Sequence, residues 1–307
     1  MKRILITGIT GLLGSNLALY FMNKSSVFGV LNKSKIFIPN ISLLNGDIQN
    51  EDDITDILKK IKPDIIIHCA AETNVDYCEE NIPHATLLNA TATKYLANYS
   101  KISSCKLIYI STDAIYRGDR GDYFEFETPE PQNIYSKTKL AGEFFVQENA
   151  SDYLIIRTNI YGWNALQKLN FAEWVIDQIE VGKGGIPGFV DVVFSPILVN
   201  DLAGVIEKMI NIDLSGIYNV GARDNCSKYE FARMICRLFG KNEDFIKKAT
   251  IKEFLFKAPR PENTSLNVNK ISDILGVESM PTVEHGLIKF KKLKDTGFLA
   301  YLKSMAV

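Results

Sequence analysis

Tyr135 and Lys139 stand four residues apart in the segment NIYSKTKLAGE, which otherwise has the composition of a helix. Residues at this spacing lie on one side of a helix, so the phenol and the ammonium are predicted to face the same space. A phenol has a pKa of about 10, which is too high for efficient proton transfer at neutral pH. A nearby ammonium lowers that pKa. The pair could therefore move a proton, and the alternative is a solvated helix face.

A second polar group, Ser111, Thr112 and Asp113, follows the apolar run CKLIYI. Side chains at the carboxyl end of a buried parallel strand project toward the ligand in open α/β sheets. The two hydroxyls and the carboxylate are therefore predicted to line a cleft. The alternative is a Ser/Thr/Asp turn or a helix cap, which is the commoner role of such tripeptides.

Three glycines, Gly8, Gly11 and Gly14, separate the apolar run RILIT from a helical pattern. A tight turn at this position brings the backbone close to a pyrophosphate at the helix N-terminus. Glycines at turns are common, and a purely structural turn is the alternative. The position between a first strand and a first helix favours a dinucleotide site.

The second apolar run is followed by LNKSK, where a ribose-binding acid would indicate NAD. Asn32 occupies the position of that acid, and Lys33 and Lys35 lie close by. Ammonium groups suit a 2′-phosphate better than a bare diol, so NADP(H) is favoured over NAD(H). A solvated lysine loop is the alternative, and Asp47 is better placed for the adenine side.

Short apolar runs alternate with helical patterns over the first 160 residues, which indicates a parallel sheet covered on both faces. We therefore predict an α/β fold, a Rossmann-type doubly wound parallel sheet with a smaller C-terminal α+β substrate-binding lobe. Residues 1–165 and 190–215 are assigned to the NAD(P)-binding domain, and residues 166–189 and 216–307 to the lobe. The strand GIYNVG, from Gly216, is placed in the lobe.

Composition excludes several classes of protein. The chain has 307 residues, 46% hydrophobic and 23% charged, with a net charge of −1. No basic run could follow a phosphate backbone, so nucleic acid is not expected as a partner. Five cysteines without CxxC spacing argue against a disulfide framework and a metal site. No stretch is long enough to cross a bilayer, so we expect a soluble cytoplasmic protein without a membrane partner. A homodimer is compatible with the sequence.

These motifs together resemble the extended short-chain dehydrogenase/reductases over nearly the whole chain. The resemblance rests on TGxxGxxG at 7–14, CAAETNVD at 69–76, STD at 111–113, YxxxK at 135–139 and RPENTSLN at 260–267. Within that superfamily the chain looks most like the dTDP-4-dehydrorhamnose reductase group of sugar-nucleotide ketoreductases. The resemblance implies NADPH-dependent reduction of a 4-keto-6-deoxy nucleotide sugar, in deoxysugar and surface polysaccharide biosynthesis.

Roles for individual residues follow from the same resemblance. Tyr135 would give the proton to the ketone oxygen, Lys139 would supply charge and hold the nicotinamide ribose, and Thr112 would bind the carbonyl oxygen. The implied cofactor-binding residues are Gly8, Thr10, Gly11, Leu12, Leu13, Gly14, Asn32, Lys33, Asp47, Ile48, Ala70, Ala71 and Lys139. The implied substrate-binding residues are Thr73, Val75, Asp113, Trp163, Arg260 and Asn263.

Positions at which this chain differs from related families reduce the number of reactions that the resemblance allows. The similar 4,6-dehydratases carry Asp-Glu after the threonine, whereas this chain has Asp113-Ala114. Cys78 and His84 are not placed for epimerisation beside the ketone and are interpreted as packing residues. Rhamnose-type reductases show Arg-Thr-Ser-Trp on strand six, where this chain has Arg-Thr-Asn-Ile from Arg157. Trp163 is the candidate replacement for that tryptophan, and Arg157 is interpreted as a structural ion-pair residue.

Two alternatives stay open at this point. A nucleotide-sugar 4-epimerase of the same superfamily shares the tyrosine and the lysine. A non-catalytic NADP-binding subunit, like the β subunit of methionine adenosyltransferases, resembles these reductases too. The complete set of Thr112, Tyr135 and Lys139 argues against the second.

Overall fold

The protein was analysed as a computed structural model that describes residues 1–182 and 185–306. A seven-stranded parallel sheet forms its centre, with the spatial order β11-β6-β5-β4-β1-β2-β3. Its strands are β1 (Arg3–Thr7), β2 (Ser26–Leu31), β3 (Ser42–Asn45), β4 (Ile65–His68), β5 (Lys106–Ile110), β6 (Tyr153–Arg157) and β11 (Gly216–Asn219). Short strands form three further pairs: β7 (Ile160–Tyr161) with β10 (Ile197–Leu198), β8 (Ile186–Phe189) with β13 (Ile246–Ala249), and β9 (Val193–Phe194) with β12 (Cys226–Ser227).

Helices cover both faces of the central sheet, and further helices lie with the short strand pairs outside it. They are α1 (Leu12–Phe21), α2 (Glu51–Ile61), α3 (Val75–Glu80), α4 (Ile82–Thr86), α5 (Ala92–Ser103), α6 (Ile134–Asn149), α7 (Phe171–Glu180), α8 (Val199–Asn211), α9 (Lys228–Leu238), α10 (Asn269–Leu275), α11 (Val283–Asp295) and α12 (Phe298–Lys303). None of the helices in the described part of the chain combines the length and the apolar character that a membrane crossing requires.

The strands are apolar throughout because both faces of the sheet are buried. Ile4 and Ile6 point into one core layer, whereas Leu5 between them points into the layer on the other face. Successive side chains of a strand alternate between faces, so a strand buried on both sides needs apolar residues at every position. The predicted doubly wound parallel sheet is confirmed.

Local sequence sets where the helices begin and end. Helix α2 begins after Asn50, whose side chain accepts hydrogen bonds from the backbone N–H groups of Asp52 and Asp53. It ends at Lys62, which has a left-handed backbone with φ of 49° and precedes Pro63. Proline disfavours the helical conformation of the residue before it, and this accounts for the observed end.

A π-helical turn at Leu87–Thr91 lies between α4 and α5. Asn89 lies in this turn, and its side-chain amide donates to the Glu72 carbonyl and to the Thr138 hydroxyl. The wider turn thus directs a polar side chain inward to two partners, and π turns of this kind are often found at functional sites.

The order of the sheet strands creates a cleft. The chain runs outward from β1 to β2 and β3, and then returns to place β4 on the other side of β1. Ligands of open α/β sheets bind at the carboxyl edge where the strand order reverses. The three motif-bearing loops, which follow β1, β4 and β5, all leave the sheet at this edge.

One assignment of the sequence analysis was wrong. The strand Gly216–Asn219 was placed in the smaller lobe, but it pairs in parallel with β6 at the edge of the central sheet. The strand Gly-Ile-Tyr-Asn is short and carries no signal that separates a lobe strand from an edge strand. The remaining domain boundaries stay predictions.

Candidate functional site

The glycine turn between β1 and α1 is closely packed. Gly8 has a left-handed backbone with φ of 68°, and a Cβ atom there would lie 2.6 Å from the backbone nitrogen of Ala70. A Cβ at Gly14 would lie 2.1 Å from the Gly8 carbonyl oxygen. The Gly11 N–H donates to that same oxygen, at 2.9 Å. Side chains are therefore excluded at Gly8 and Gly14. Only backbone lies at the N-terminus of α1, as a pyrophosphate site requires.

The other residues predicted to hold a dinucleotide surround this turn. Asn32 and Lys33 are exposed just beyond the carboxyl end of β2, and Asp47 is half-buried beyond β3. An oxygen of Asp47 accepts hydrogen bonds from the backbone and side chain of Gln49. Leu13 is buried in one core layer and Ile48 in the other.

The loop after β4 carries four predicted site residues. Ala70 and Ala71 are half-buried, and Ala70 lies against the Gly8 turn. Thr73 is exposed, and its hydroxyl accepts a hydrogen bond from the Lys168 ammonium at 3.1 Å. Val75 is the first residue of α3. The structure thus places this loop between the glycine turn and the residues that follow β5.

Thr112 and Tyr135 meet at the carboxyl edge of the sheet. Thr112 is 6% exposed, and its hydroxyl accepts a hydrogen bond from the Ala114 N–H, at the start of a single 3-10 turn. The same hydroxyl lies beside the phenol of Tyr135 and acts to lower the pKa of that phenol. Tyr135 is in the first turn of α6, which begins after the N-cap Asn133.

The pKa of Tyr135 differs from our expectation. Burial raises it above the ordinary value of 10.0, and neighbouring Asp113 acts in the same direction. We expected Lys139 to lower it, but the lysine ammonium donates to the Ile110 carbonyl oxygen, at 2.7 Å, and lies 4.0 Å from the centre of the Tyr109 ring. The phenol is therefore neutral at physiological pH and carries a proton.

Lys139 is itself only 3% exposed. Burial lowers the pKa of its ammonium to about 7, while the Glu143 carboxylate one turn further along α6 opposes this shift. Burial penalises the charged form, and a carboxylate of opposite sign favours it. The carboxylate of Glu143 therefore supports the protonated form of the lysine.

Glu143 belongs to a buried network that the sequence analysis missed. It is fully buried, accepts a hydrogen bond from the Ser111 hydroxyl and forms an ion pair with Arg157 at 2.7 Å. Arg157 also donates to the Tyr116 hydroxyl, so its interpretation as a structural ion-pair residue is confirmed. A signal for Glu143 was present, because it stands four residues after Lys139 and would share its side of the helix.

Asp113 is buried, and most of its hydrogen-bonding capacity is used by the protein. One carboxylate oxygen accepts from the Thr264 hydroxyl at 2.7 Å and from the Asn159 amide at 2.9 Å. The other accepts from the Thr112 hydroxyl at 3.2 Å. Burial raises the pKa of Asp113, and the nearby Lys228 opposes this. The predicted contact of Asp113 with a sugar hydroxyl stays a prediction.

The proposed replacement of the strand-six tryptophan was wrong. Trp163 is 4% exposed, its ring stacks on Phe290 at 4.1 Å, and its indole N–H donates to the Phe290 carbonyl. The residue therefore packs in the core against α11 instead of bordering the cleft. Sequence spacing could not show this, because the partner comes from a helix more than a hundred residues away.

Arg260 and Asn263 lie in the irregular segment between β13 and α10. Arg260 forms an ion pair with Asp76 at 2.8 Å, and its Nη1 atom is buried without a hydrogen-bond partner among the described residues. That atom is available to a further acceptor. The Asn263 side chain contacts the loop near Gly121 and accepts from the Ser265 hydroxyl, so its amide is committed to packing and its predicted substrate contact is unsupported.

The same segment connects the predicted small lobe to two helices of the sheet domain, α3 and α6. Lys257 pairs with Glu80 of α3, and the Ala258 N–H donates to Asp76, also of α3. The Asn133 amide, at the start of the helix that carries Tyr135, donates to the Pro259 carbonyl at 2.9 Å. Residues 257–260 therefore join the lobe to two elements of the sheet domain.

The chain is similar in sequence and structure to proteins of known family. Residues 1–290 match the family described as RmlD substrate binding domain. A probable low-salt glycan biosynthesis reductase, Agl14, of Haloferax volcanii is 29% identical, and the match covers 92% of this chain and 95% of that protein. The crystal structure of dTDP-4-dehydrorhamnose reductase from Bacillus anthracis in complex with NADP superimposes with a TM-score of 0.81 at 32% identity, covering 95% of this chain and 99% of the other.

A relative with a different role matches as well. Methionine adenosyltransferase 2 subunit beta of Danio rerio is 29% identical over 91% of this chain and 87% of that protein. Overall similarity thus does not separate an enzyme from a subunit of another enzyme, and the arrangement of individual residues has to do so.

Proposed function

The chain belongs to the RmlD substrate binding domain family of extended short-chain dehydrogenase/reductases, and we propose that it is an NADPH-dependent reductase of a 4-keto-6-deoxy nucleotide sugar. The observation that carries the proposal is the Thr112 hydroxyl beside the neutral phenol of Tyr135, at the cleft edge of the sheet. Two hydroxyl donors at one point can bind and protonate a single carbonyl oxygen.

Each of these residues has a separate role in the proposed reduction of the ketone. NADPH supplies the hydride that the carbonyl carbon accepts. Thr112 donates a hydrogen bond to the carbonyl oxygen, and Tyr135 transfers its phenolic proton to that oxygen, which yields the alcohol. Lys139, held by the Ile110 carbonyl, lies one helical turn from the tyrosine and is positioned to hold the ribose of the cofactor.

The residues present fit a dinucleotide that carries a 2′-phosphate. Gly8 and Gly14 place backbone rather than side chains at the N-terminus of α1, and the exposed Lys33 and Lys35 follow the strand where the adenosine ribose would lie. Their charges favour NADPH over NADH. The B. anthracis relative, solved in complex with NADP, supports this choice.

The substrate class rests on the family and its relatives. The H. volcanii relative is described as a glycan biosynthesis reductase, and the B. anthracis relative reduces dTDP-4-dehydrorhamnose by its name. We therefore propose that the chain supplies a deoxyhexose nucleotide for a surface glycan, and that the free Nη1 of Arg260 binds the diphosphate.

The test is to mix the purified protein with NADPH and a dTDP-4-keto-6-deoxyhexose and to follow the absorbance of the reduced nicotinamide. We expect a fall in absorbance that depends on the sugar and on the protein. No oxidation with dTDP-, UDP-, GDP- or CDP-ketosugars would count against the proposal. Interconversion of UDP-sugars without net NADPH consumption would instead indicate the 4-epimerase.

A second candidate is a non-catalytic subunit, which the likeness to methionine adenosyltransferase 2 subunit beta favours. This candidate predicts NADP binding without turnover and stable association with a larger enzyme. The assembled Thr112, Tyr135 and Lys139 argue against it, because a binding subunit does not need a proton donor at the cleft. Co-purification of a partner together with an inactive nucleotide site would favour it.

A further inference from the structure

Lys228 lies near Asp113 and has no role in the reaction proposed above. It is the first residue of α9, directly after the N-cap Ser227. Its side chain is half-buried, and its Nζ atom lies 3.5 Å from the centre of the Phe194 ring and 4.5 Å from that of Phe171. Two aromatic residues from β9 and α7 thus fix the position of this ammonium.

The Lys228 ammonium has hydrogen-bond donors that the described residues do not use. Within the described residues, Lys228 Nζ makes no hydrogen bond and no ion pair, although an ammonium carries three N–H donors. Aromatic rings stabilise the positive charge but do not replace three directed hydrogen bonds. Nearby Asp113 stabilises the charge from a longer distance, since its carboxylate accepts from Thr264, Asn159 and Thr112.

The location of the ammonium indicates what it faces. Asp113 directly follows Thr112, whose hydroxyl lies beside the phenol of Tyr135. Hydrogen bonds connect Lys228 to Asp113 through the segment around β9. The Lys228 N–H donates to the Val192 carbonyl at 2.8 Å, and Thr264, whose hydroxyl donates to Asp113, donates its N–H to the Val193 carbonyl at 3.0 Å. The ammonium therefore lies near the reacting centre, within reach of a sugar ring bound beside Thr112 and Tyr135.

We propose that Lys228 is a substrate-binding residue that donates hydrogen bonds to oxygen atoms of the sugar ring of the nucleotide sugar. This inference rests on the proposed function and deepens it, because it assigns recognition of the hexose to a cation of the small lobe. A site built to donate to a hydroxyl discriminates strongly against analogues that lack it, since the donor is left unpaired in the complex. Lys228 therefore favours hexoses that present an oxygen at this point.

The experiment measures binding of two probes, dTDP-glucose and dTDP, to the wild type and to Lys228→Met by titration calorimetry. Methionine keeps an unbranched apolar chain between the two rings and removes the donors. A hydrogen bond from a charged group contributes about 1.5–3 kcal/mol, or roughly 10- to 150-fold in affinity. We therefore expect at least tenfold weaker binding of dTDP-glucose by the variant, with unchanged affinity for dTDP and for NADPH.

Two further variants make the result decisive. Lys228→Leu, which also lacks donors, is the substitute if the methionine variant does not fold, as judged from its melting temperature. Lys248→Met is the matched control, because Lys248 is an exposed lysine of the same lobe whose Nζ lies 5.7 Å from the Tyr229 ring centre. We expect this control to bind both probes like the wild type.

Equal affinity of the wild type and the Lys228 variants for dTDP-glucose would overturn the inference, as would a wild type that gains nothing from the hexose over dTDP alone. These outcomes are separate from failure of the proposed function, which shows as absence of NADPH oxidation. A wild type that reduces ketosugars while Lys228→Met binds dTDP-glucose normally would refute only the role of Lys228.

Discussion

The ammonium of Lys139 donates a hydrogen bond to the main-chain carbonyl oxygen of Ile110, at 2.7 Å. The contact ties the middle of α6 to the last residue of β5, directly before the turn that contains Thr112. A lysine side chain has four rotatable bonds, and this contact fixes its end. The sheet and the helix therefore set the positions of the lysine and the threonine jointly.

Tyr135→Phe should keep affinity for NADPH and lose most of its turnover. The substitution removes only the hydroxyl that gives its proton to the ketone oxygen, and a positioned acid contributes about 10²- to 10⁴-fold to rate. Steady-state NADPH oxidation and cofactor titration measure the two effects. Tyr153→Phe, at a half-buried tyrosine on β6 outside the cleft, should keep full activity. An active Tyr135→Phe protein would show that another group supplies the proton.

Thr112→Val should lower kcat about 100-fold, because it removes a donor to the oxygen on which charge develops. It also removes the acceptor of the Ala114 N–H, so some loss of stability should accompany the loss of rate. Thr112→Ser keeps a hydroxyl that accepts from the Ala114 N–H and can donate to the ketone oxygen. It should keep kcat within about fivefold. Equal kcat values for the valine and serine variants would contradict a role for the hydroxyl.

The stability of the ligand-free protein should rise with pH above 7. The pKa of Lys139 is lowered from 10.5 to about 7 on folding, so between these values the unfolded chain binds more protons than the folded protein. Proton release thus favours the folded state increasingly as the pH rises through this window. The gain from this residue is on the order of 2 kcal/mol between pH 7 and 9.

Urea unfolding at several pH values tests this expectation, with Lys139→Met as the comparison. The variant should be more stable than the wild type at pH 7 and should lack this part of the pH dependence. Lys228, whose pKa is lowered to about 8, contributes with the same sign in both proteins and cancels in the difference. Parallel curves for the two proteins would mean that Lys139 titrates normally.

Arg157→Leu should destabilise the protein by about 3–5 kcal/mol, because it leaves the fully buried Glu143 carboxylate without its partner. The double variant Glu143→Leu with Arg157→Leu should be less destabilised than the single one, since no buried charge remains. Urea unfolding of the two variants and the wild type measures the difference. A double variant less stable than Arg157→Leu would show that packing matters more than charge here.

Lys33→Ala combined with Lys35→Ala should weaken NADPH binding about tenfold and leave NADH binding unchanged. Only NADPH carries the additional phosphate, and exposed charges interact with it at a strength that falls with added salt. Fluorescence titration at low and high salt measures the affinity for each cofactor and its dependence on salt. Lys59→Ala with Lys60→Ala, at two exposed lysines of α2, is the control. Equal loss for both cofactors would argue against 2′-phosphate recognition.

Features that depend on local sequence were predictable. The glycine turn follows from three glycines at two equal spacings along one segment, and the alternation of apolar strands with helices determines the sheet. Gly8 and Gly14 show why the spacing matters, because each position excludes a side chain. The pairing of Tyr135 with Lys139 on one helix could be predicted for the same reason.

Features that depend on distant partners were not predictable. Trp163 is a tryptophan near the right position, but Phe290 determines that it packs in the core. Lys228 looks like the first residue of an ordinary helix, and only the folded chain brings it to Asp113. The pKa of Tyr135 was misjudged because Lys139 points to a carbonyl group that no sequence pattern specifies.

The segment 257–260, which joins the small lobe to α3 and to the start of α6, has a kinetic consequence. The contacts of this segment with Asp76 and Glu80 are partly exposed, and ion pairs of this kind each contribute about 0–1 kcal/mol. Such contacts break and re-form easily. Under the proposed function, the segment can therefore move away to admit a nucleotide sugar and return once the product has left.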